Sequence, residues 1–211
     1  MDVKAYKWWS EQYDTNINPT RDMESISLRE AVNDTRFNNC LEIGCGTGKN
    51  TSYLVTKCKY IVAVDISDEM LAIAKTKVSD SNNVTFIHTD IQEPWNFPPE
   101  TSCTFDLIVC SLVLEHIEDL MVVIQRMAEH LEQGGILYIG ELHPFKQYNG
   151  SKARFITDEG EKIVKVFTHH ITDFIDAATS HGLRIEGIKE YFDNDDRTAI
   201  PRILALKFKK L

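Results

Sequence analysis

Residues 42–48 read Glu-Ile-Gly-Cys-Gly-Thr-Gly, and Asp65 stands 17 residues beyond Gly48. Glycines at 44, 46 and 48 let the main chain turn tightly and approach a ligand with no Cβ in the way. A carboxylate at Asp65 can accept both hydroxyls of a ribose, the part an acid plays about 20 residues beyond the glycines of dinucleotide folds. Its plainer role is to cap the next helix, but Ser67 suits that position. The dinucleotide fingerprint needs glycine at 49, where Lys49 stands, and no Gly-Lys-Ser/Thr follows for a triphosphate loop. The pattern therefore predicts a nucleoside-like ligand that is not strongly anionic, with Glu42 facing a positive or hydrogen-bond-donating group. Asp90 could accept from an exocyclic amine such as adenine N6; a turn aspartate is the alternative.

Proton-transfer candidates come later in the chain. His143 and His170 are the expected general bases, since imidazole titrates near neutral pH. Either could instead be a surface or capping residue. His116 could line the pocket floor or start a helix. The adjacent pair His169-His170 has diverging side chains and no ligand-spaced partner, so no metal is expected. Tyr6, Trp9 and Tyr13 lie 3 and 4 residues apart. They could cover a cation by cation–π attraction, or simply pack an amphipathic helix. Residues 146–165 carry a local excess of cations, among them Arg154, which favours a carboxylate- or phosphate-bearing substrate; a solvated loop is the plainer reading of all of them but Arg154.

These residues need a frame that brings them together. Short apolar runs at 40–43, 60–66, 84–88, 105–110 and 136–139 read as parallel strands buried on both faces. Helical patterns at 48–57, 67–78 and 120–131 fill the gaps, and Gly134-Gly135 is expected to end the third. Repeated βα units predict an open parallel α/β sheet with ligands beyond the carboxyl ends of the strands. Residues 3–13 and 21–32 read as two helices before the first strand. About 25 residues, 143–166, fit neither period and read as a lid or binding loop. A helix at 172–180 ends at Gly182, and strands at 183–192 and 200–208 have hairpin spacing, which makes the last one antiparallel.

The 211 residues suit one domain, with residues 1–36 as N-terminal lid helices and 142–170 as a substrate-side insertion. Lys and Arg number 23 against 32 Asp and Glu, a net charge of −9 that disfavours nucleic-acid partners. No apolar run approaches the roughly 18 residues of a membrane span. The opening residues carry charges, unlike a secretory signal, and five cysteines without a CxxC pair suit a reducing compartment, the cytoplasm.

The segments LEIGCGTGKNT, VAVDIS, FIHTDI, DLIVCSLVLEHIED and LEQGGILYIGELHP, taken in order over residues 38–143, resemble the motifs of class I S-adenosylmethionine-dependent methyltransferases. The small-molecule group similar to ubiquinone- and menaquinone-type enzymes is the nearest in flavour, through WWSEQYD, HHITDFIDAATSHGLRIEGIKE and IPRILALKFKK. The resemblance implies a Rossmann-like seven-stranded sheet of order 3-2-1-4-5-7-6 with strand 7 antiparallel. It also implies S-adenosyl-L-methionine as cofactor and S-adenosyl-L-homocysteine as product. Glu42, Gly44, Gly46 and Gly48 would surround the methionine and sugar, with Cys45 contributing only backbone. Asp65 would hold the ribose, Ile66, Asp90 and Ile91 would face the adenine, and Ser111 would lie near the methionine amine. Tyr13 joins this cofactor set, while Tyr6, Trp9, His116 and Arg154 form the substrate set.

The expected activity is methyl transfer to O or N, less readily C, of a small molecule. A protein or RNA methyltransferase is the rival within the fold, and CSLV in place of an NPPY-type tetrapeptide argues against amide or base-amine acceptors. The other rivals are an NAD-dependent oxidoreductase, which shares the α/β pattern but for which Lys49 replaces the third glycine, and a non-catalytic cofactor binder of the same fold.

Overall fold

Strand residues alternate between two buried faces, as the two-residue period of a strand requires. Leu41, Ile43, Val62, Val64, Ile108, Leu137 and Ile139 belong to one core; Cys40, Ile61, Ala63, Leu107, Val109 and Tyr138 belong to the other. Both faces must therefore be covered by helices. The computed structural model describes residues 14–95, 97, 104–151, 154–157, 160–163 and 165–211, with backbone alone at 154–157 and 161–163.

The elements in chain order are α1 (Pro19–Val32), β1 (Phe37–Ile43), α2 (Thr51–Leu54), β2 (Cys58–Asp65), α3 (Asp68–Lys77), β3 (Val84–His88) and β4 (Phe105–Ser111). Then come α4 (Leu120–His130), β5 (Leu131–Leu142), α5 (Pro144–Tyr148), β6 (Arg154–Thr157), β7 (Gly160–Ile163), α6 (Ile171–Thr179), β8 (Leu183–Tyr191) and β9 (Ile203–Lys210). The main sheet has the order β3-β2-β1-β4-β5-β9-β8, and β6-β7 form a separate hairpin. With that hairpin set aside, this is the expected 3-2-1-4-5-7-6 arrangement. Strands β1 to β5 pair in parallel, while β9 runs antiparallel to both β5 and β8. Helices α4 and α6 cover the first face and α1 the second.

Several local expectations change. The helix expected at 48–57 shrinks to Thr51–Leu54, because positive φ at Gly44, Gly46 and Gly48 holds the chain before it in turns. Helix α4 stops at His130, before Gly134-Gly135, and β5 starts at Leu131 and runs through the glycines. The stretch after β5 is not an uncommitted loop: it contains α5, where His143 accepts from Phe145 N as the N-cap, and the hairpin β6-β7. The last strand starts at Ile203, after a turn in which Asp193 pairs with Arg202 and Lys146. Of the two lid helices expected in residues 1–36, the one at 3–13 lies outside the described residues. The other, α1, lies flat on the sheet with Leu28 and Val32 buried.

Candidate active site

The glycine loop follows β1 and is shaped by three left-handed residues, Gly44 at φ 67°, Gly46 at 53° and Gly48 at 77°. A side chain at Gly44 would meet Val113 Cγ2 at 2.1 Å, so its φ and its neighbour both demand glycine. At Gly46, by contrast, nothing lies within 4 Å of where a Cβ would stand. That combination leaves bare backbone facing open space, the condition for a ligand to lie against the chain.

Asp65, at the end of β2, is 9% exposed and ties this loop to the next one. Its Oδ2 accepts from Gly46 N at 2.8 Å and its Oδ1 from Ser67 N at 2.9 Å. Each carboxylate oxygen can accept two hydrogen bonds. The carboxylate thus keeps capacity to accept from a ribose hydroxyl beyond the backbone groups that hold it. Burial raises the Asp65 pKa, and the backbone N–H groups oppose that shift. Ser67 caps α3 by accepting from Met70 N. Ile66 is half-buried and Ile91 buried. Asp90 makes the turn contact weighed from the sequence, Gln92 N to Oδ1 at 2.9 Å. Cys45 is buried and its N–H donates to Val64 O, so it joins the loop through backbone.

Beneath the loop sits a layer of acids. Glu42 is 2% exposed and accepts from Thr51 Oγ1 at 2.6 Å, so it points under the loop and braces α2. Burial pushes its carboxyl up to about 8. Glu24 of α1 accepts from Ser111 Oγ at 2.7 Å, Asn50 Nδ2 at 2.9 Å and Tyr138 OH at 3.2 Å, which spends the Ser111 hydroxyl within the protein. Sequence reading missed Glu24, since a polar residue on the stripe of Leu28 and Val32 gives no apolar period. Its only signal is the polar interruption of that stripe. Asp14 was also missed: it accepts from Thr47 Oγ1 at 2.9 Å and pairs with Lys77 at 2.8 Å, which brings the start of the described chain onto the glycine loop.

The carboxyl ends of β4 and β5 form the other wall. Leu112 has φ 56°, an uncommon conformation for a side-chain-bearing residue. Its N–H donates to Gly140 O, and the turn it creates sets Val113 against Gly44. Glu141 Oε1 accepts from Val113 N at 3.0 Å and Leu114 N at 2.8 Å. Burial, with the neighbouring Glu115 adding to it, pushes Glu141 up to about 8.

The histidines separate. His143 is fully buried; its Nδ1 accepts from Phe145 N at 3.2 Å and its Nε2 pairs with Glu190 Oε1 at 3.0 Å. Burial lowers its pKa against the pull of Glu190. Both ring nitrogens are engaged, which corrects the picture of a free base at this position. His170 is exposed and its Nδ1 bonds Tyr148 OH at 2.6 Å. His116 is buried in a short 3-10 turn, its Nδ1 3.3 Å from Lys165 O. His169 Nε2 donates to Ile117 O at 2.8 Å, away from His170. Tyr6, Trp9 and Tyr13 lie outside the described residues, as does the Arg154 side chain.

A family model described as "Methyltransferase domain" matches residues 41–139. The chain is 26% identical over 180 residues to a ubiquinone biosynthesis O-methyltransferase of Xanthomonas campestris pv. campestris, covering 81% of this chain and 70% of that one. Among solved structures, the N-methyltransferase NodS from Bradyrhizobium japonicum WM9 in complex with S-adenosyl-L-homocysteine superposes with a TM-score of 0.70, at 21% identity and over 98% of each chain. An S-adenosylmethionine dependent methyltransferase from Mesorhizobium loti gives a TM-score of 0.71 at 20% identity, covering 88% of this chain and 96% of that one.

Proposed function

We propose that this chain is a class I S-adenosylmethionine-dependent methyltransferase that methylates an oxygen or nitrogen of a small molecule. The observation that carries the reading is the pairing of a bare-backbone loop at Gly46 with the buried strand-end acid Asp65 that bonds it. Bound there, S-adenosylmethionine supplies a methyl group already made electrophilic by the sulfonium charge. The protein's work is then alignment and exclusion of water, with orientation worth up to about 7–11 kcal/mol in favourable systems. Asp65 and the loop backbone would hold the sugar and methionine, with Ile66, Asp90 and Ile91 on the adenine side. Ser111 would contribute main chain alone.

For a hydroxyl acceptor, His170 suits the base: it is exposed, and Tyr148 fixes one of its ring nitrogens. His143 we assign to capping α5. The anionic acceptor inferred from the cations of 146–165 has weak support among described side chains, since Lys146 pairs with Asp193 and Lys165 lies 4.0 Å from Glu118. No described helix is long and apolar enough to cross a membrane. The free buried thiols Cys40, Cys45, Cys58 and Cys110 suit the cytoplasm.

The test is label transfer. Purified protein with methyl-labelled S-adenosylmethionine and a panel of small phenols, alcohols and amines should move label to a small-molecule fraction. Label found only on protein or RNA, or an unmodified panel despite cofactor binding, would reject the reading.

A further inference from the structure

The carbonyl oxygen of Ile91, just past β3, draws two side-chain donors. Trp95 Nε1 donates to it at 3.0 Å and Arg126 Nη1, from α4, at 2.9 Å. A carbonyl oxygen has two lone pairs, so this one is fully used. Arg126 has no carboxylate partner among the described residues, and its guanidinium is committed to this carbonyl instead. Trp95 is steadied by its ring, whose centroid lies 5.8 Å from that of Phe97 and 5.1 Å from that of His130. His130 in turn donates from Nδ1 to Arg126 O at 2.8 Å, one turn back along α4. The end of α4 and the loop after β3 are thereby joined at one atom.

The peptide that carries the Ile91 carbonyl also carries the Gln92 N–H, which donates to Asp90 Oδ1 at 2.9 Å. A peptide is planar, so holding its oxygen fixes the direction of its N–H. That N–H holds one carboxylate oxygen of Asp90, and Glu93 N donates to the Asp90 carbonyl at 3.0 Å. Asp90 Oδ2 and the Ile91 N–H are left without a partner among the described residues. One accepts and the other donates, the complement of the amine and ring nitrogen on the outer edge of adenine.

We propose that Trp95 and Arg126 are positioning residues for the cofactor's base: by holding the Ile91 carbonyl they fix the 91–92 peptide, and through it they aim the Asp90 carboxylate at the adenine amine. The proposal rests on the methyltransferase reading and adds to it how the base is selected. Oxygen in place of that amine would set acceptor against acceptor at Asp90, and the ring N–H that comes with it would set donor against donor at Ile91. A site rejects such an analogue only while its polar groups are held still, because a carboxylate free to turn escapes the clash.

The test is calorimetric titration of the full chain with S-adenosylhomocysteine and with S-inosylhomocysteine, which carries oxygen in place of the amine. The parent should bind the adenosyl compound at least about tenfold more tightly. Arg126→Met and Trp95→Phe keep most of each side chain's bulk and remove its donor. Each should weaken S-adenosylhomocysteine about three- to tenfold and move S-inosylhomocysteine by less than about twofold, so the preference shrinks. Lost packing alone would weaken both compounds by the same factor, since they share the sugar and the amino acid. A preference unchanged in one variant would remove that residue from the role. A preference unchanged in both, or equal binding of the two compounds by the parent, would overturn the proposal with the methyltransferase reading intact. Failure of the parent to bind either compound would overturn both.

Discussion

Both oxygens of Asp65 are held by backbone N–H groups, and that makes the residue a clamp on the loop in addition to the ribose role proposed for it. Asp65→Ala should weaken S-adenosylhomocysteine binding by about ten- to a hundredfold, the loss of charge-assisted hydrogen bonds worth about 1.5–3 kcal/mol. Calorimetric titration checks it, and an unchanged affinity would remove the ribose role. Glu42 titrates in the opposite sense from a salt-bridged acid. Its ordinary value is 4.5 and burial carries it to about 8. Between those values the folded chain holds a proton that the unfolded chain has lost, so unfolding releases it and stability falls as pH rises. Glu42→Gln removes that contribution and should flatten the decline by up to about 1.4 kcal/mol per pH unit. Urea midpoints at pH 5.5 and 7.5 would show it; a slope equal to that of the parent would disprove it.

At the scale of elements, the site is a set of strand ends locked by contacts between successive loops. Gly44 after β1 abuts Val113 after β4, and Val113 is held by Glu141 at the end of β5. Gly44→Ala should therefore be costly twice over, about 1–2 kcal/mol for left-handed backbone and about 1–3 kcal/mol for the clash. Adding Val113→Ala should return the second part and leave the first. Chemical denaturation of the single and double variants measures this, and purely additive losses would show that the two loops do not touch. Helix α1 joins the same assembly through Glu24, whose partners Asn50, Ser111 and Tyr138 come from three other segments. It is a supporting wall of the site.

For the whole molecule, cofactor binding should report on global stability, since the site proposed for it draws on loops from several strands that the folded state alone assembles. At a hundredfold excess over its dissociation constant, S-adenosylhomocysteine should stabilise the fold by about 2.7 kcal/mol. For a chain of this size that is a rise in Tm of about 5–11 °C. NAD at the same concentration should shift Tm by less than a degree. A larger shift with NAD would contradict the cofactor assignment.

The strands, the turns of the glycine loop and the acid at the end of β2 were legible in the linear chain because each depends on local rules, apolar runs for strands and backbone freedom for the loop, while the sheet order came with the family resemblance. Strand β3 and helix α3 fall where the pattern puts them, with Ser67 capping as expected. What the linear chain could not convey is which polar side chains find each other. Glu24 looks like a surface residue of an amphipathic helix, yet it lies 87 positions from its partner Ser111 and is buried against it. His143 reads as a base until Phe145 N and Glu190 claim its two nitrogens. Glu141 reads as one more acid ending a strand until the N–H groups of Val113 and Leu114 claim one of its oxygens. Propensity and periodicity act over a few residues, so they fix elements; the protonation and partners of a buried acid depend on atoms brought together from distant segments, and only the folded chain assembles those.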